Sequence, residues 1–336
     1  MVEKYNYQKE SFEEKVKRLI KMSLRQFRYF RLPKKNAIKD TVFFVIDPSM
    51  KHPGFADRIK SIVNTYYIAK NSGLKFKLYF KDPFALSKYL VPNAVDWDME
   101  LPDLDYSLFS SRLAAYTAKQ PIPIWNHGRA YHVFWYRGID MLFHSCNIRI
   151  KDKDSARKEW VCVFKTCFDE LFKHTEHLNN LIASTKLDGR SFISVHFRFV
   201  NALGHFEDAG KNFPVLPEEQ QKKLISDCLD CLHKIQVRHN GKPIYIFSDS
   251  EKFVNICMTK GYNRIYGGQI GHVSFAKDGS SEDKAMLDFF TMGRSEKVYA
   301  VVLPHMYVGV FSEYAAIVGG QNLRELLNSE SLKSVG

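Results

Sequence analysis

The sequence predicts an α/β protein of two domains, and three observations lead there. Short, almost continuously apolar runs such as Thr41-Val42-Phe43-Phe44-Val45-Ile46 alternate with amphipathic helical stretches, the rhythm of strands buried on both faces of a parallel sheet. Residues 41 to 80 read as one strand, loop, helix, strand unit, and the same rhythm returns after residue 191. At 336 residues the chain exceeds the size at which a single core usually stops growing, so two domains are expected.

The composition, 45% hydrophobic, 14% aromatic and 26% charged, is that of a globular chain with a sizeable core. No apolar run reaches the ~18 residues of a membrane span, and the opening Met1-Val2-Glu3-Lys4-Tyr5 lacks the apolar region of a secretory signal, so a cytoplasmic location is expected. Six cysteines are few for this length. Cys228 and Cys231 fall in a helical pattern with Leu224, Ile225, Leu229 and Leu232, and read as small buried hydrophobes rather than as a metal or redox pair.

A net charge of +12 fits anionic partners: nucleic acid, an acidic membrane surface or phosphate-bearing substrates. Much of the excess lies in Lys15, Lys17, Arg18, Lys21, Arg25, Arg28, Arg31, Lys34 and Lys35. Phe12, Val16, Leu19, Ile20, Leu24, Phe27 and Phe30 are interleaved with them. This is a basic amphipathic helix ended by Pro33, which either packs its stripe on the body of the protein or lies on anionic lipid at the inner face of the membrane through residues 12–30.

The first strand ends at Asp47-Pro48 and leads into Pro53-Gly54-Phe55-Ala56-Asp57-Arg58. Gly54 lets backbone approach a ligand, Asp57 is placed to cap the next helix, and Arg58 is expected to point into the crevice. That helix stops near Asn71-Ser72-Gly73, and a second strand runs from Lys75 to Phe80. Residues 81 to 150 are irregular, with strands expected near 122–125 and 131–135. Helices are expected over 159–181, and Asp188-Gly189-Arg190 is a turn at the domain boundary.

In the second half, Ser191-Phe192-Ile193-Ser194-Val195-His196-Phe197 reads as a strand whose carboxyl end meets Arg198 and Asn201. Ligands collect outside the carboxyl ends of parallel strands, and an arginine fork there suits a phosphate. Taken alone, His196 and Arg198 read as a satisfied core histidine and a surface ion-pair partner, and only the rest of the chain shifts that reading. A helix opens at Pro217, a strand over 243–247 ends in Ser248-Asp249-Ser250, and a helix over 281–292 carries Asp288. After a strand over 297–302, Phe311-Ser312 starts the last helix, which Gly319-Gly320 stops. A helix start with a hydroxyl and free N–H groups beside an arginine suits a diphosphate. A nucleotide-sugar donor needs such a domain, with the first domain facing it across a cleft and carrying the acceptor.

These residues resemble the fucosyltransferase superfamily of GT-B fold. His196-Phe197-Arg198-Phe199-Val200-Asn201 is similar to its H-x-R-R-x-D segment, with Phe199 where many members have a second Arg and Asn201 where many have Asp. Phe247-Ser248-Asp249-Ser250 looks like its S/T-D-D element, and Asp288 with Phe311-Ser312-Glu313-Tyr314-Ala315-Ala316 looks like its third. Pro53 to Arg58 resembles its glycine loop, with Ala56 for the second Gly. The resemblance covers roughly residues 41 to 80 and 191 to 320.

It implies two Rossmann-like domains facing each other across a cleft: an N-terminal acceptor-side domain over 41–187, preceded by the basic helix within 1–40, and a donor domain over 188–336. It implies inverting, metal-independent transfer of fucose from GDP-fucose, with no further cofactor, to a hydroxyl of a glycan or lipid-linked glycan. Arg198 would hold the β-phosphate, His196 and Asp288 would contact guanine, and Ser312 the phosphates, with Asn201, Ser248, Asp249 and Phe311 completing the donor site. Asp96-Trp97-Asp98, Asp103-Leu104-Asp105 and Asp152-Lys153-Asp154 match D-x-D in letters alone and read as turn acids. Inversion needs a base for the acceptor hydroxyl, and Glu207, ahead of Asp208, lies in the same loop as Arg198. The alternatives are a GT-B transferase using another nucleotide sugar, an inactive relative, or a basic nucleic-acid-binding protein. Against the last, no aromatic and basic nucleic-acid motif is present.

Overall fold

The computed structural model describes residues 11–28, 38–48, 52–100, 110–116, 125–136, 153–204, 214–268, 270, 280–321 and 324–328. The chain divides into two compact units, Met1–Lys173 and His174–Gly336.

In the first unit, helix α1 (Phe12–Arg28) precedes strand β1 (Thr41–Ile46), helix α2 (Phe55–Asn71) and strand β2 (Lys75–Phe80). Strands β3 (Leu90–Pro92), β4 (Ser111–Tyr116) and β5 (Ala130–Tyr136) and helix α3 (Lys153–Leu171) follow. The sheet runs β2-β1-β5-β4, all parallel, and every residue of β1 is buried, as its unbroken apolar run requires. Strand order therefore reverses beside β1, and the loop after it, which holds Gly54, lies at this unit's switch point. Strand β4, Ser-Arg-Leu-Ala-Ala-Tyr, is not among the strands expected from sequence, because its alanines and arginine lack the β-branched signature. The strand expected over 122–125 has only Trp125 among the described residues, and there the backbone is irregular. The helical stretch expected over 159–181 is broken by strand β6 (Phe172–His174), which pairs with β3.

The second unit opens with α4 (Glu176–Ser184), whose Thr175 cap accepts from the Leu178 N–H. It continues through β7 (Ile193–Phe197), α5 (Glu218–Arg238), β8 (Ile244–Ser248), α6 (Glu251–Thr259) and β9 (Asn263–Arg264). Helix α7 (Ser280–Gly293), β10 (Lys297–Val301), α8 (Phe311–Val318) and β11 (Glu325–Leu327) complete it. Its parallel sheet runs β11-β10-β7-β8-β9, which in order of appearance is the doubly wound arrangement with the switch point between β7 and β10. One face carries Val195, Phe197, Tyr299 and Val301 into a core with Leu224, Cys228, Leu232 and Ile235 of α5 and Phe253, Val254 and Cys257 of α6. Burial pushes the Cys231 and Cys257 thiols up to about 12 and the Cys228 thiol upward too, so these cysteines serve as core hydrophobes.

Candidate functional site

At the carboxyl end of β7 the alternation of the strand decides which side chain does what. Val195 and Phe197 enter the core, so His196 takes the opposite face, where the Phe311 ring at the start of α8 lies 6.0 Å away and in turn meets Phe289 of α7 at 5.3 Å. His196 is 8% exposed. Burial, and then the Arg324 and Arg198 guanidinium groups, hold its pKa down to about 3, so the imidazole is neutral at physiological pH. Two arginines thus act on one point of the switch crevice.

The turn after β7 is braced by Asp249. Register pairs Phe197 with Ser248, which sets Asp249, the next residue after β8, beside the residues that follow β7. Its carboxylate accepts the N–H groups of Phe199 at 2.9 Å and Val200 at 2.8 Å, and lies 3.3 Å from Arg198 Nη1. Burial raises the Asp249 pKa, while Arg198 and the two N–H groups pull it back. Val200 sits at φ +54, a left-handed conformation that a β-branched residue rarely adopts and that persists only where surroundings impose it. Asp249 is therefore a brace for the turn and an orienting partner for Arg198. Phe199, where many members of the resembled superfamily carry a second Arg, is fully buried against Phe197 and Phe253 and cannot reach a ligand.

The neighbouring hydroxyls are engaged locally. Ser248 Oγ accepts the Ser250 N–H at 3.1 Å, and Ser250 caps α6 by accepting from Phe253. Asn201 is half-buried and its carbonyl accepts from Gly204, whose φ of +76 turns the loop. Glu207 and Asp208, the expected base and its neighbour, lie outside the described residues.

Beyond β10, the Tyr307 N–H donates to the Arg198 carbonyl at 2.9 Å and ties the two crevice loops together. Helix α8 then starts without a side-chain cap at Val310. Ser312 is fully buried, and its hydroxyl accepts from Arg324 Nη1 at 2.9 Å. The same nitrogen donates to the Gly309 carbonyl, and Nη2 lies 3.5 Å from Glu313. Arg324 was not anticipated from sequence. It precedes a three-residue edge strand with no motif around it, and only the docking of β11 on β10 brings it to the α8 terminus. Asp288 on α7 pairs with Lys284 one turn earlier; burial raises its pKa and Lys284 opposes the rise. A purine reaching Asp288 would meet a carboxylate already bonded to an ammonium group.

In the first unit, Arg58 departs from the expected orientation. It is 2% exposed, donates to the Pro53 carbonyl at 2.7 Å and to the Asp82 carbonyl, and lies over the Phe80 ring. It is a buried strut between the loop after β1 and the loop after β2, because a guanidinium can satisfy several carbonyls at once. Asp57 pairs with Lys60 at 3.1 Å, and the cap position of α2 belongs to Gly54. Among the described residues, no group of three or more His, Cys, Asp or Glu side chains is placed to hold a metal ion.

No protein-family model matches the chain, and no curated protein matches it in sequence. Solved structures do match in fold. A mutant of Arabidopsis thaliana FUT1 in complex with GDP aligns at a TM-score of 0.50 and 10% identity, covering 90% of this chain and 73% of that one. NodZ α-1,6-fucosyltransferase soaked with GDP-fucose aligns at 0.48 and 10% identity, over 83% of this chain and 92% of that one. NodZ from Bradyrhizobium aligns at 0.48 and 11% identity, over 82% and 92%. With both units built on parallel sheets, the likeness to FUT1 gives this chain the GT-B fold.

Proposed function

We propose that this protein is a glycosyltransferase that moves fucose from GDP-fucose to a hydroxyl of a glycan or lipid-linked glycan, with inversion and without a metal ion. The observation that carries the reading is the meeting of Arg198, His196 and the Arg324-braced start of α8 at the switch point between β7 and β10. Cleaving a glycosyl phosphate develops negative charge on the departing diphosphate. Oriented guanidinium and helix-terminus N–H groups stabilise that charge where it develops without reorganising. Arg198, 23% exposed and fixed by Asp249, is the fork that meets the β-phosphate. Arg324 is buried, holds Ser312 in place and adds positive potential behind the phosphates. It supplies the second cation that Phe199 does not. His196, neutral and aromatic, and Asp288 border the guanine. Glu207 serves as the base, a role that rests on its nearness to Arg198 in the sequence.

Calorimetric titration with GDP and GDP-fucose tests this. The wild-type chain should bind both, and Arg198→Ala, with its fold intact by circular dichroism, should lose about 10- to 100-fold in GDP affinity, the worth of a charge-assisted contact. No GDP binding by the wild type, or unchanged affinity in the variant, overturns the reading. GDP-mannose, other nucleotide sugars and duplex DNA in the same titration separate it from its rivals.

A further inference from the structure

Helix α1 touches β4 but leaves most of its apolar stripe exposed, from 36% at Val16 upward. Phe12, Val16, Leu19, Ile20, Leu24 and Phe27 recur at three-and-four spacing, which puts them on one face, and the aromatic rings at its two ends are 83% and 81% exposed. The helix carries six basic against two acidic side chains, and one of those acids, Glu13, is paired with Lys17. By helical position Lys17 and Lys21 border the stripe on one side and Lys15 on the other, with Arg18 on the opposite face. We propose that α1 is a docking surface for an anionic membrane, lying in the plane of the headgroups with its stripe among the acyl chains.

Charge decides in favour of lipid. A second copy of α1 laid stripe to stripe would bring the basic borders of both helices together, and like charges at such spacing repel. Anionic headgroups instead complement both borders while the stripe leaves water, the arrangement of interfacial helices. At 17 residues α1 extends about 25 Å. Among the described residues no helix is long and apolar enough to cross a membrane, so the contact is peripheral. The proposal is independent of the donor chemistry, since no residue of α1 belongs to the candidate site.

Co-sedimentation of the full chain with sucrose-loaded vesicles tests it, using phosphatidylcholine with and without phosphatidylglycerol. The chain should pellet with the anionic vesicles, stay in solution with the neutral ones, and be released near ~1 M salt, where the screening length is ~3 Å. Replacing Phe12, Leu24 and Phe27 with Ser should abolish pelleting and leave thermal unfolding within ~2 °C, because these side chains are exposed. A second variant, Lys17→Gln with Lys21→Gln, removes no apolar contact. It should lower partitioning about 25-fold, at roughly fivefold per basic residue near an anionic surface. The proposal is overturned by absence of binding to anionic vesicles, by equal binding to neutral ones, or by pelleting that survives both variants. A lipid-free dimer that the serine variant converts to monomer, with no vesicle binding by the wild type, also overturns it and makes a second copy the occupant.

Discussion

Acidification should loosen the second unit through His196, and the size of the effect follows from its surroundings. The residue is 8% exposed, and burial, Arg324 and Arg198 hold its pKa at about 3 against the ordinary 6.5. The folded form therefore binds its proton less readily than the unfolded chain does. The stability contributed by the neutral ring is fully present above pH ~6.5 and is lost as pH falls toward ~3, at about 1.4 kcal/mol per pH unit. Between pH 7.5 and 5.0 the loss works out at about 2 kcal/mol, or ~4–8 °C in Tm for a cooperative unit of this size. His52 and His239 are also held low by burial, so the wild type alone would not isolate the residue. The assay is therefore chemical denaturation of the wild type and His196→Gln at both pH values. The wild type should lose about 2 kcal/mol more on acidification than the variant. Equal losses would show that His196 titrates normally, and the account of two arginines converging on a buried neutral ring would fail with it. Bound GDP should weaken the effect, because phosphate charge offsets the two guanidinium groups.

Further outcomes are expected from the same geometry. Asp249→Asn keeps one acceptor oxygen but sets an amide donor against a backbone N–H, so denaturant unfolding should show a loss of about 3 kcal/mol and GDP affinity should fall together with it. Wild-type stability in that variant would mean that the Val200 turn holds itself. A Cβ on Gly319 would fall 2.0 Å from the Gly293 carbonyl oxygen, where α7 and α8 touch backbone to backbone. Gly319→Ala should therefore cost at least about 2 kcal/mol by thermal unfolding, and a loss within experimental error would show that the helices can part freely. Glu207→Gln should lower kcat by about 10²- to 10⁴-fold with little change in GDP-fucose binding, and Asp208→Asn should cost less. The reverse ranking in a steady-state transfer assay makes Asp208 the base, and no effect beyond about threefold in either moves it to the first unit, with Asp57 next to be tested.

The sequence alone determined the α/β class and most of the elements, because strands buried on both faces must be apolar runs and surface helices must be amphipathic. Both signals are local, and β1, α2, β2, β7 and α8 can be read from them directly. The same locality made His196-x-Arg198 legible as polar chemistry at a strand end. What a side chain does once it is there depends on its neighbours in space. Ser248-Asp249-Ser250 was recognisable as a motif. That its carboxylate braces the β7 turn follows only from the parallel pairing of β7 with β8. Arg58 and Arg198 are each an arginine near the carboxyl end of a parallel strand, yet one is a buried strut and the other a partly exposed fork. The carbonyls within reach decide the difference. Arg324 stands 126 residues beyond Arg198 and carries no pattern of its own. Its place beside Ser312 and His196 is a product of the doubly wound sheet, in which β11 docks on β10 and returns the end of the unit to the switch point.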